Sequence, residues 1–115
     1  MTNLQQLRKG STPLLILSIL NEGPQHGYGI MRAMEQRSEG YFSMTAALLY
    51  PALHQMELDG LVSAEWQNTI GNRRKKIYSI TPKGKEYLMK DNLEWHRFFD
   101  YLFGIIDQQG IKRAQ

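Results

Sequence analysis

Tyr50 and His54 stand four residues apart in LYPALH. On a helix that spacing stacks a phenol and an imidazole on one face. Both groups donate and accept hydrogen bonds, so they suit base edges and phosphates as well as proton transfer. Proton transfer needs further partners, and the sequence offers none. His26, His54 and His96 lie far apart, with no ligand-spaced carboxylate or second histidine beside any of them, so no metal site is expected. His26 is expected to cap or pack near a helix. There is no cysteine. Ser11, Ser18, Ser43 and Ser63 pair with no nearby histidine as nucleophile and base. Gly27-Tyr28-Gly29 is not a phosphate loop, because no Lys-Ser/Thr follows it and no strand is read before it. The residues point away from an enzyme and toward a chain without a cofactor.

Positive charge is the second feature. The net charge is only +3, yet no acidic residue falls between Gln67 and Lys85, while Arg73, Arg74, Lys75, Lys76, Lys83 and Lys85 all do. A cationic stretch of this kind fits a polyanion, or else forms a solvated loop.

These residues need elements to position them. In a chain of 115 residues one domain, with or without an appendage, is expected. Ser11-Thr12-Pro13 reads as a helix start, a capping hydroxyl followed by proline, and Leu14 to Leu20 form a first buried helix closed by Gly23-Pro24. A second amphipathic helix opens at Gly27-Tyr28-Gly29. It turns Ile30 and Met34 inward, with Tyr28 and Ala33, and Gly40 breaks it. Thr45 caps a third helix whose buried stripe is Leu49, Leu53 and Met56, and Gly60 ends it. LVSAEW and KKIYSI form a hairpin that carries basic residues at its tip and on its return strand. Thr81-Pro82 repeats the cap-then-proline signal, and one long helix runs to about Asp107. Along it Leu88, Trp95 and Leu102 recur every seven residues, flanked by Phe98, Phe99, Ile105 and Ile106. A small domain cannot cover that whole face, so the helix either folds back or packs on a second copy, and the second copy is the favoured expectation.

The fold class expected is mainly α with a small β-hairpin: a winged helix-turn-helix followed by a long C-terminal dimerisation helix. Residues 1–81 make the DNA-binding domain, and residues 82–115 make the dimerisation helix and tail. With Leu49, Leu53 and Met56 inside, Ala47, Tyr50, Pro51, His54 and Leu58 project outward at 100° per residue. The third helix of such a fold enters the major groove. Thr45 and the first-turn N–H groups would hold a phosphate, Tyr50 a phosphate or thymine methyl, and His54 and Gln55 base edges. Pro51 removes a backbone donor. Tyr50 and His54 read equally well as interface packing residues. The neighbouring wing of Arg73, Arg74, Lys75 and Lys76 tips the reading to duplex DNA.

HGYGI at 26–30, LYPALH at 49–54, DGLV at 59–62, EW at 65–66 and NRRKKIYSITPKGKEYL at 72–88 together resemble the PadR family of bacterial transcriptional regulators. The likeness runs from about Leu7 to Leu102. It implies a winged-helix homodimer joined by its last helix, which binds an inverted-repeat operator and usually represses, often with relief by a small phenolic, drug-like or other effector, here a small aromatic one. By the same likeness Thr45, Leu49, Tyr50 and Pro51 match the start of the recognition helix. Asn72, Arg73, Arg74, Lys75 and Lys76 match the wing. Trp95, with Phe98 and Phe99 beside it, falls where some relatives stack flat ligands. Trp95 also reads as simple packing. The chain departs from the family at Ala47-Leu48, where a Gly-Thr or Gly-Ser pair is common, and at Gln55, where arginine is frequent. Leu58 stands at a usually polar position. These departures keep open an alternative, a winged-helix protein-interaction or ligand-sensing dimer without operator binding. The apolar run PLLILSIL is too short for a bilayer, so no membrane partner and a cytoplasmic location are expected.

Overall fold

The computed structural model describes residues 4–68, 71 and 74–107, with the Gln5 side chain left aside. The element order is α1 (Leu4–Leu20), β1 (Gln25–His26), α2 (Gly27–Arg37), α3 (Ala46–Leu58), β2 (Val62–Asn68), β3 (Arg74–Ile80) and α4 (Pro82–Asp107). The three strands form one antiparallel sheet in the order β1-β3-β2.

α1 begins well before the expected start. Ser11 and Thr12 do not cap it. Their hydroxyls donate back to the Arg8 carbonyl at 2.8 and 3.2 Å, and Pro13 lies inside the helix. Proline in a helix interior removes the amide donor that would reach the Lys9 carbonyl, and the two hydroxyls do not replace it, since they bond the Arg8 carbonyl one residue earlier. The apolar run after it carries the burial: Ile16, Leu17 and Leu20 are sealed in the core.

α2 is capped as expected of His26, whose Nδ1 accepts the Gly29 N–H at 3.0 Å. His26 also belongs to β1, a two-residue strand that sequence reading missed because so short a segment has no periodicity. It pairs with β3, His26 opposite Ile77. Ile30 and Met34 are buried. Tyr28 is not turned inward: it is 60% exposed. The helix also stops earlier than Gly40. The Glu39 N–H donates to Gln36 and the Gly40 N–H to Glu35, which places Glu39 at the left-handed position with φ 52°.

α3 buries Leu49, Leu53 and Met56 as expected. Its end is the same motif with the favoured residue in place. Gly60 sits at φ 77°, its N–H donates to Glu57, and Leu61 N–H donates to Met56 at 2.9 Å. The core gathers Ile16, Leu17 and Leu20 of α1, Ile30 and Met34 of α2, the α3 stripe, and Val62 and Tyr78 of the sheet. Each fully buried aliphatic side chain contributes roughly 1.5–3 kcal/mol.

Thr81 joins the wing to α4. Its hydroxyl accepts the Gly84 N–H at 2.9 Å and donates to the carbonyls of Gly60 and Leu61. Beyond it, α4 runs for 26 residues, and only Gly84 among them is buried. Among the described residues, no helix is long and apolar enough to cross a membrane.

Candidate nucleic-acid interface

Helical periodicity sends the core residues of α3 one way and its polar and aromatic residues the other. Ala47, Tyr50, Pro51, His54 and Leu58 are all exposed. Thr45 occupies the N-cap position, with φ −86° and ψ 161°, and its side chain makes no capping bond. The Leu48 N–H donates to the Thr45 carbonyl at 3.1 Å, which leaves the hydroxyl and the Ala46 and Ala47 amides for an anion at that end. Pro51 lies in the second turn, inside the helix. Gln55 donates from Nε2 to the Asp59 carboxylate at 3.0 Å, which directs its amide along the helix surface.

Tyr50 is 43% exposed, and its ring leans on the start of α2. A Cβ added at Gly27 would fall 2.4 Å from the Tyr50 hydroxyl oxygen, so only glycine leaves room for the phenol there. The HGYG segment and the LYP segment are thus one contact, although 20 or so residues separate them. The start of α2 also carries a surface cluster that sequence reading missed. Exposed Tyr28 stacks on His26 with ring centroids 6.3 Å apart, and the Arg32 guanidinium lies 5.7 Å from the Tyr28 ring centre. The i, i+4 spacing of Tyr28 and Arg32 was the available signal. Placing Tyr28 inward concealed it.

The wing divides its cations by strand alternation. Asn68 pairs with Arg74, Gln67 with Lys75, Trp66 with Lys76 and Ala64 with Tyr78. Successive side chains point to opposite faces, so Arg74, Lys76 and Tyr78 share the face that continues the core, together with Trp66. Lys75 shares the other face with Gln67. Arg74 lies 5.0 Å from the Trp66 ring centre. Lys76 Nζ is 5.8 Å from Trp66 and 5.6 Å from Tyr78, and bonds the Glu57 carboxylate of α3 at 3.3 Å. Burial holds the Tyr78 hydroxyl above the usual tyrosine range, with nearby Lys76 opposing the shift. Asn72 and Arg73 lie outside the described residues.

The aromatic trio of α4 also divides. Trp95 and Phe99, 5.6 Å apart, line a groove of about 470 Å³ together with Leu7, Leu15, Tyr41 and Phe42. Phe98 touches both rings, with centroids at 6.4 and 5.4 Å, but faces a second, shallower groove with Tyr101 and Ile105. Among the described residues, no group of His, Asp and Glu could hold a metal.

A helix-turn-helix built on α2 and α3, followed by a small antiparallel wing, is a winged helix. The model of the transcriptional regulator PadR-like family matches residues 16–90, and the chain belongs to that family. A PadR family regulator from Eggerthella lenta superimposes with a TM-score of 0.80 at 29% identity, over 90% of this chain and 88% of that one. A transcriptional regulator of Mycobacterium tuberculosis is 26% identical over 88 residues, 76% of this chain and 78% of its own. Bacillus subtilis PadR, solved in complex with operator DNA, shares the fold at a TM-score of 0.64 and 24% identity, over 68% of this chain and 43% of that one.

Proposed function

We propose that the chain is a homodimeric repressor that places α3 of each copy in successive major grooves of an inverted-repeat operator. Residues 1–81 form its reading domain and residues 82–115 its dimerising helix and tail. The observation that carries this reading is the exposed row of Tyr50, Pro51 and His54 on α3, a helix to which the cationic wing is tied through the Lys76–Glu57 pair. Half-sites would lie about one helical turn apart, roughly 34 Å. The operator complex of the B. subtilis protein supports the same use of a shared fold.

The dimer is supported by α4 itself, a helix of 26 residues with one of them buried. Its open apolar face is of the kind that another helix covers. The Trp95–Phe99 groove has the size and apolar lining of a small-molecule site, and a flat aromatic effector there would shift the separation of the two reading helices and release the operator. Such a regulator works in the cytoplasm.

Leu48 and Leu58, 62% and 68% exposed on α3, favour a second reading, a winged-helix module that docks a protein. Fluorescence anisotropy with DNA from upstream of the gene separates the two. The repressor binds saturably and loses affinity steeply with salt, and Arg74→Gln flattens the log–log salt slope by about 0.9. Weak binding that prefers no sequence would select the protein-docking reading. Saturable quenching of tryptophan emission by a flat aromatic compound, weakened by Trp95→Ala in a protein that remains dimeric, tests the effector.

A further inference from the structure

α3 contains a single charged residue, Glu57, and it is an acid on a helix read as facing DNA. Left unpaired it would repel the phosphate backbone. The structure answers this with Lys76. The Lys76–Glu57 pair spans from wing to helix, and its side chains are 30% and 34% exposed. The other ion pairs among the described residues, Arg37–Glu22 and Lys90–Glu86, have side chains more than half exposed. A pair partly shielded from water interacts more strongly than one in open solvent. The same ammonium lies near the faces of Trp66 and Tyr78, which adds attraction in a half-dry setting.

We propose that Lys76 is a positioning residue, not a phosphate contact: it neutralises Glu57 and clamps the wing to α3 at a set angle. The phosphate-facing work of the described wing then falls to Arg74, held against Trp66, and to Lys75 on the opposite face. This rests on the DNA-binding reading above. The reason for the division is geometric. To reach a phosphate, Lys76 would have to leave a carboxylate and two ring faces at once, and would bare the Glu57 charge beside the nucleic acid as it did so.

The two roles predict opposite signs for Glu57→Gln. If Lys76 is the clamp, the substitution frees the wing and weakens binding. If Lys76 contacts phosphate, removing a competing carboxylate strengthens it. The probe is a duplex selected by the wild-type protein from a random pool, titrated by anisotropy at several salt concentrations. For the clamp, Glu57→Gln and Lys76→Met each weaken binding by about fivefold, and the double variant is no worse than either. The salt slope stays that of the wild type, and Lys76→Arg restores affinity. Tighter binding by Glu57→Gln, or a slope reduced by about 0.9 in Lys76→Met, overturns the proposal.

A measurement without DNA keeps the two readings apart. In a Trp95→Phe background the emission reports Trp66 alone, since the chain has two tryptophans. Glu57→Gln and Lys76→Met should both increase acrylamide quenching of Trp66. Unchanged quenching in Glu57→Gln would overturn the clamp even if DNA binding stands. A wild-type protein that enriches no sequence from the pool would sink the DNA reading, while the Trp66 result would still decide whether the clamp exists.

Discussion

Replacing Phe98 by alanine tests whether α4 joins two copies, and the size of the effect follows from its exposure. Phe98 is 52% exposed and lines the shallow outer groove with Tyr101 and Ile105. A phenylalanine presents ~200 Å² in all, which leaves roughly 100 Å² for a partner to cover. At about 25 cal/mol per Å² that area is worth ~2.5 kcal/mol in each copy. Alanine keeps part of it, so the net loss is about 1.5–2 kcal/mol per copy and ~3–4 kcal/mol per symmetric dimer. The dimer dissociation constant should then rise by roughly 10² to 10³-fold. Sedimentation velocity over a dilution series reads this directly, and far-UV circular dichroism checks that the helix is kept. A dissociation constant within threefold of wild type, with the wild type dimeric, would move the interface off this face. A wild-type protein still monomeric at ~100 μM would remove the dimer altogether.

Glu39 occupies a left-handed backbone position, φ 52°, that costs a residue with a Cβ about 1 kcal/mol. Glu39→Gly should therefore raise the melting temperature by up to about 4 °C, and a fall would refute the strain argument. Gly84→Ala should do the reverse. Its new Cβ would lie 2.1 Å from the Leu61 carbonyl oxygen and 2.8 Å from Ile80 Cγ1, a backbone overlap costing ~1–3 kcal/mol against a helix-propensity gain of at most ~1. Denaturant unfolding with equal or greater stability would contradict it. The hydrogen-bonded Arg37 guanidinium holds the Glu22 carboxyl below its usual range. A depressed folded-state value stabilises above the unfolded carboxyl pKa and is lost as pH falls through the folded one. The melting-temperature gap between wild type and Glu22→Gln should thus be small at neutral pH and close as pH drops below ~4. A gap that widens in acid would reverse the sign.

How far this architecture can be read from the chain depends on the range of the forces involved. The α3 stripe, the hairpin and the Thr81-Pro82 cap are local patterns, and each stands where periodicity and capping chemistry put it. The start of α1 was misplaced because Ser-Thr-Pro has two physical uses. The hydroxyls can cap an incoming helix or bond back within a continuing one, and only the residues before Arg8 decide between them. Tyr28 was misplaced because helical spacing alone does not reveal that Gly27 is the residue against which Tyr50 rests. The wing shows the same limit in the candidate site. As a string, RRKK is one block of charge. As a strand, its alternation sends Lys75 to one face and Arg74 and Lys76 to the other, and a carboxylate 19 residues earlier in the chain engages Lys76. Charge content was legible in sequence, but charge assignment needs the partner across the gap. The interface should accordingly be counted by cations not already paired within the protein, since only these can displace counterions from DNA.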